Sequence, residues 1–167
     1  MKKIMIMVAI IAIGTTKLTF AQSKTDAAFN QLLTAYYDVK NALATDKMDA
    51  AKEKIKTLLA QVDAIPHKDL PATQHTLWME QSKIIKAKAT ELAAGRDLKS
   101  QRKSFEGLSS AMIKTVRNIK FNNAAVYVQH CPMAKASWLN EKKNIENPYY
   151  GSMMFDCGDL AETISSK

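Results

Sequence analysis

The chain has 167 residues, 47% of them hydrophobic, with two cysteines and a formal charge of +8. That length fits one domain large enough to bury a core of its own. The sequence has no His-Glu-x-x-His zinc helix, no Cys-x-x-Cys redox pair, no Cys-x-x-Cys-His haem attachment and no glycine-rich phosphate loop, so many common enzyme classes lose support.

The first residues read as an export signal. Lys2 and Lys3 are followed by an apolar run from Ile4 to Ile13, and Thr19-Phe20-Ala21 offers a small-residue cleavage site. The run of about ten apolar residues is too short to span a bilayer, which takes roughly 20. Residues 1–21 are therefore expected to be a signal peptide and 22–167 a single domain, soluble in the periplasm, with no transmembrane segment after cleavage. Losing Lys2, Lys3 and Lys17 lowers the formal charge from +8 to +5, and the remaining basic residues are scattered among glutamates and aspartates. Export removes nucleic acid as the obvious partner; mild basicity leaves an acidic protein surface or an anionic membrane face.

Apolar residues recur at three and four positions through Phe29, Leu32, Leu33, Tyr36, Tyr37, Val39 and Leu43, which predicts a first helix over about 25–44. Asp46 is placed to cap a second helix carrying Met48, Ile55, Leu58, Leu59, Val62 and Ile65, ended by Pro66. A third helix is expected from about Ala72 to Ala94, burying Leu77, Trp78, Ile84, Ile85, Ala89 and Leu92 and closing on a left-handed Gly95. Asp97 starts a fourth, with Leu98, Phe105, Leu108, Met112, Val116 and Ile119 in one stripe. Four such helices with short connections predict an all-α fold, an antiparallel up-and-down four-helix bundle.

Helical periodicity fails after Phe121. Ala124 to Gln129 suits a short extended segment, Lys135 to Asn144 a short helical turn, and Pro132, Pro148, Gly151 and Gly158 punctuate an irregular tail over 122–167. Both cysteines lie there. Cys131 and Cys157 in an exported chain can close a disulfide around a loop of about 25 residues, which would contribute roughly 3 kcal/mol. The same tail holds Met133, Met153 and Met154, half of the six methionines beyond the signal, and also His130. Thiolate, thioether and imidazole are the ligands that select Cu(I), and by the same softness Ag(I), over hard cations. Residue spacing leaves both readings open, because cysteine and methionine also fill irregular apolar gaps. Met48, Met79 and Met112 occupy positions typical of core methionines. His67 and His75 read as surface histidines of no particular role, and Glu80, Glu91 and Glu106 as solvated helix faces with weak ion pairs.

The tail stretches YVQHCPMA, SWL and IENPYYGSMMFDCG, with SFEGLSSAMIKTVRN and YYDVKNALATD upstream, resemble an exported bacterial family of unknown function, DUF3347. Its members occur alone after a signal peptide and as the C-terminal part of periplasmic adaptors of heavy-metal efflux pumps. The resemblance implies a helical, non-enzymatic domain with its cysteine segment packed at one end. It also implies an association with copper, silver or other heavy-metal resistance, with components of such an efflux system as partners. The positions that match are Cys131, Pro132, Met133, Trp138, Asn147, Pro148, Tyr149, Tyr150, Gly151, Met154, Cys157 and Gly158. The chain lacks the long hairpin and barrel domains of an adaptor, which suits a free-standing binder or accessory better than a pump component. The expected ligands are Cys131, Met133, Met154 and Cys157, with His130 and Met153 as auxiliaries. The alternative is a disulfide-fastened interaction module that binds no metal.

Overall fold

The computed structural model describes the backbone from Ala12 to Lys167 and the side chains from Lys24 onward. The expected export signal at residues 1–21, with its cleavage point, lies outside the fully described residues. Among the described residues no helix is long and apolar enough to cross a membrane.

Four helices form where the apolar stripes require them: α1 (Ala12–Ala44), α2 (Met48–Ala64), α3 (Ala72–Ala94) and α4 (Leu98–Ile119). Consecutive helices pack on one another. Their shared core holds Phe29 in contact with Trp78 and Phe121, and Tyr36 stacked on Phe105. Asp97 starts α4 as expected: its carboxylate accepts the Ser100 N–H at 2.7 Å, and the Ser100 hydroxyl returns to the Asp97 backbone N–H. Other local expectations fail. Gly95 has φ −58, so α3 does not end on a left-handed residue; a side chain there would instead strike Gln101 Cγ at 2.8 Å. Ile84 and Met79 face solvent, because the buried face of α3 is completed by Gln81 and Ser82.

An all-α fold is also incorrect. The C-terminal segment forms a three-stranded antiparallel sheet in the order β2-β1-β3, from β1 (Val126–Cys131), β2 (Ala136–Asn140) and β3 (Asp159–Ile164). The extended segment expected near Ala124–Gln129 is β1. The expected helical turn at 135–144 is overturned by β2, whose Ser137, Trp138 and Leu139 pair with His130, Gln129 and Val128. A left-handed Lys135, φ 52, makes the tight reversal between these strands. Ala161 is skipped where β3 pairs with β1, so a bulge lies between the Val128–Glu162 and Gln129–Leu160 pairs.

Alternation along β1 gives the sheet two faces. Val126 and Val128 join the hydrophobic core, and Arg117 of α4 reaches Glu162, the partner of Val128 on β3. The opposite face carries Gln129, Cys131 and Trp138. It is covered by the chain between β2 and β3: the buried Gln129 amide donates to the carbonyls of Lys142, Lys143 and Asn144 and accepts from Asn140.

Candidate metal centre

The end of β1 and the turn before β3 bring the two cysteines together. Cys131 is fully buried, and its sulfur accepts the Ala134 N–H at 3.4 Å as the chain turns toward β2. Cys157 closes a turn in which its N–H donates to the Met154 carbonyl at 3.1 Å. Pairing of His130 with Asp159 brings the two cysteines near each other across 26 positions of sequence. Both are free, and the disulfide considered from sequence is not formed. Partial burial, then the neighbouring Cys131 and Asp159, push the Cys157 thiol above its ordinary pKa. A raised pKa disfavours the thiolate that redox catalysis needs as nucleophile.

Cys157 is held by a frame of named contacts. Buried Asn147 donates from its side chain to the Cys157 carbonyl at 2.8 Å, donates its backbone N–H to the Phe155 carbonyl at 2.8 Å, and accepts the Tyr149 N–H on its own side-chain oxygen. Gly158 follows with φ 150, and a side chain there would meet the His130 carbonyl at 2.9 Å and the Trp138 ring at 3.0 Å. Trp138 and Tyr149 meet edge to face at 5.9 Å, and the Tyr149 hydroxyl donates to the Ser137 carbonyl. The indole N–H of Trp138 is buried without a hydrogen-bond partner.

The remaining sequence candidates divide. Met133 lies in the turn after Cys131, and Met154 in the turn that ends at Cys157; Met133 is exposed and Met154 half-buried. Met153 is 80% exposed and borders a groove with Tyr149 and Tyr150. His130 is adjacent to Cys131 on a strand and so turns to the other face, where its Nδ1 bonds the Ser137 hydroxyl at 3.0 Å. Among the described residues no group of three or more histidine, cysteine, aspartate or glutamate side chains is placed to hold a metal ion. Methionine thioethers would have to supply anything beyond the thiol pair.

Sequence reasoning missed the groups that anchor this segment to the helices. Lys40 of α1 is fully buried and reaches Asn140 at 2.8 Å, Glu146 at 2.7 Å and Glu141 at 3.3 Å. Its signal was present, a lysine four positions after Tyr36 inside an apolar stripe. Asp46 has φ 58 and does not cap α2. Its carboxylate instead pairs with Arg102 and accepts the Ser152 N–H at 3.0 Å. The Arg102 guanidinium also donates to the carbonyls of Pro148 and Leu43. This clamp admits only glycine at 151: φ is 59, and a side chain would lie 2.0 Å from Asp46 Oδ1.

Residues 32–124 match the family model described as protein of unknown function, DUF3347. The match takes in the C-terminal part of α1, all of α2 to α4 and most of the connection to β1, with Lys40, Asp46 and Arg102 among them; both cysteines and the three strands follow it in sequence. No curated protein and no solved structure matches the chain.

Proposed function

From the premise that the chain belongs to the DUF3347 family, we propose that it is a non-enzymatic binder of a soft monovalent metal, Cu(I) or Ag(I), acting in the periplasm. The observation that carries this reading is the thiol pair: Cys131 and Cys157, distant in sequence, meet as free thiols beside two turns that each contain a methionine. Two thiolates on one ion are a donor set suited to Cu(I), and thioethers from Met133 and Met154 would complete it. Both thiols must lose a proton on binding, so one Cu(I) and two thiols yield a bis-thiolate complex of charge −1 and two protons. Because these protons are released, binding tightens as pH rises.

The surrounding frame supports a binding role over a catalytic one. Asn147, Gly158 and the buried Trp138 fix the Cys157 turn from several sides, which keeps the sulfurs close without a covalent link. Periplasmic partners from a heavy-metal efflux system accord with the proposed cargo. Native mass spectrometry of the reduced protein with Cu(I) tests the reading. One copper per chain is expected, with loss of that adduct in Cys157→Ser and weakening in Met154→Leu. Absence of an adduct in the wild type, or an adduct that survives Cys157→Ser, overturns it.

A further inference from the structure

A second pair of metal-binding side chains stands on the helical part, remote from the thiols in sequence. His67 opens the short 3-10 turn His67–Asp69, and His75 lies in the first turns of α3. Their rings face each other, with His67 Nδ1 and His75 Nε2 3.2 Å apart and ring centroids separated by 5.2 Å. Both residues are half-buried.

The backbone around the pair is fixed independently of the rings. Pro66 and Pro71 restrict the chain on either side of the 3-10 turn. Ile65 and Leu70 are buried in the core, so the connection is pinned at two points. The His67 N–H donates to the Ile65 carbonyl, the Leu70 N–H to the His67 carbonyl, and the His75 N–H to the Pro71 carbonyl. The two imidazoles therefore start from defined positions.

We propose that His67 and His75 form a chelate for a borderline divalent cation of the Zn(II), Ni(II) or Cu(II) class, the ions that imidazole suits. Two nitrogens bound at about 2.0–2.1 Å to one tetrahedral ion stand about 3.3 Å apart, close to the separation already present. Without metal, one ring donates its N–H to the other. With metal, the donor ring moves its proton to its outer nitrogen, a small rotation aims both lone pairs at the ion, and water fills the remaining positions. The site differs in softness from the thiol pair and does not depend on it.

Zn(II) titrated into the 15N-labelled wild-type protein, followed through the histidine ring resonances, is the test. The rings of His67 and His75 are expected to shift together along one saturating curve, and His75→Gln is expected to abolish the shift of His67. An amide fingerprint unchanged outside residues 65–76 would show that the variant folds. The conclusion is overturned if the two rings in the wild type saturate independently or do not shift. It is equally overturned if His67 still responds in a folded His75→Gln protein. A response confined to His130 or to residues around Cys131 and Cys157 would also overturn it, and would bear only on the proposed soft-metal site.

Discussion

The helices and the C-terminal sheet are held by different chemistry. Between α1 and α4 the buried surface is mainly a repeating apolar stripe, so each residue contributes a replaceable share of packing. The sheet and its covering loop join that core through Val126, Val128, Trp138 and Leu139, and are fixed in addition by few, specific polar contacts: Lys40 on Asn140, Glu141 and Glu146, Gln129 on three carbonyls, Asn147 on Cys157, and Arg102 on Asp46, Pro148 and Leu43. A region built the first way should degrade gradually under substitution. One built the second way should fail at single residues, because an abandoned buried polar group costs more than a lost methylene.

Lys40→Met is the strongest way to break this contrast. It keeps the apolar stem of the side chain and removes only the charged head, leaving Asn140, Glu141 and Glu146 without their shared partner. Breaking a buried ion pair by removing one member costs about 3 kcal/mol or more. Chemical denaturation should show a loss of that order, and amide exchange should rise most in β1 and β2. A loss spread evenly over α2 and α3 would show that the sheet and helices are one cooperative unit. Gly151→Ala should come next. The left-handed backbone alone costs roughly 1–2 kcal/mol for a residue with a side chain, and the added methyl displaces Asp46 from Arg102. Faster exchange at the Ser152 N–H, which donates to Asp46, would report the opened clamp.

The same contrast explains what could be read from the sequence. The third helix is found at its expected ends because its periodicity and the flanking Pro71 act locally, although Gly95 closes it without the expected left-handed backbone. The sheet was half-hidden. β1 is legible as an apolar extended run, but Ser137-Trp138-Leu139 takes a strand conformation only because it pairs with β1, a contact that no local propensity announces. β3 is harder still: its burial is nearly absent until Ile164, so no alternating pattern marks it. At the candidate centre, the cysteines and methionines were visible by type. Their division was not, since the two faces of a strand separate His130 from Cys131 only once the strand is known. His67 and His75 were legible as residues but not as neighbours, because their contact depends on how the 3-10 turn presents the first ring to α3.

Acid should separate the two regions by a smaller, graded effect. Partial burial works against the charged form of Glu146, but Lys40 and Lys142 outweigh it and hold its pKa below the ordinary carboxylate value. Asp46 is also lowered, by hydrogen bonds from Ser152 and by Arg102, against a smaller effect of burial. Depressed folded values stabilise the fold above the unfolded carboxylate range of about 3.9–4.3, and that contribution disappears as pH falls through the folded values. Amide protection in the sheet and the loop before β3 is therefore expected to decline below about pH 4 while the cores of α2 and α3 stay protected. Simultaneous loss in both regions would mean that the carboxylates anchoring the tail govern the whole domain.

The smallest effect is expected at Met153, and it decides how far the polar frame alone defines the tail. Met153 ends the 3-10 turn Gly151–Met153 with its side chain 80% exposed beside Tyr149 and Tyr150. Met154, one position on, is half-buried, and its carbonyl takes the Cys157 N–H. Adjacent methionines thus have unequal environments, and only the second is tied directly to the turn bearing a thiol. Met153→Ser removes little buried area, so denaturation should move by no more than about 0.5 kcal/mol. Copper stoichiometry in native mass spectra should also stay at that of the wild type, whereas Met154→Leu weakens the adduct. A Met153→Ser protein that loses copper would move the thioether donors toward the groove at Tyr149 and Tyr150, and would make that exposed rim, rather than the frame around Asn147, the part of the tail that recognises the ion.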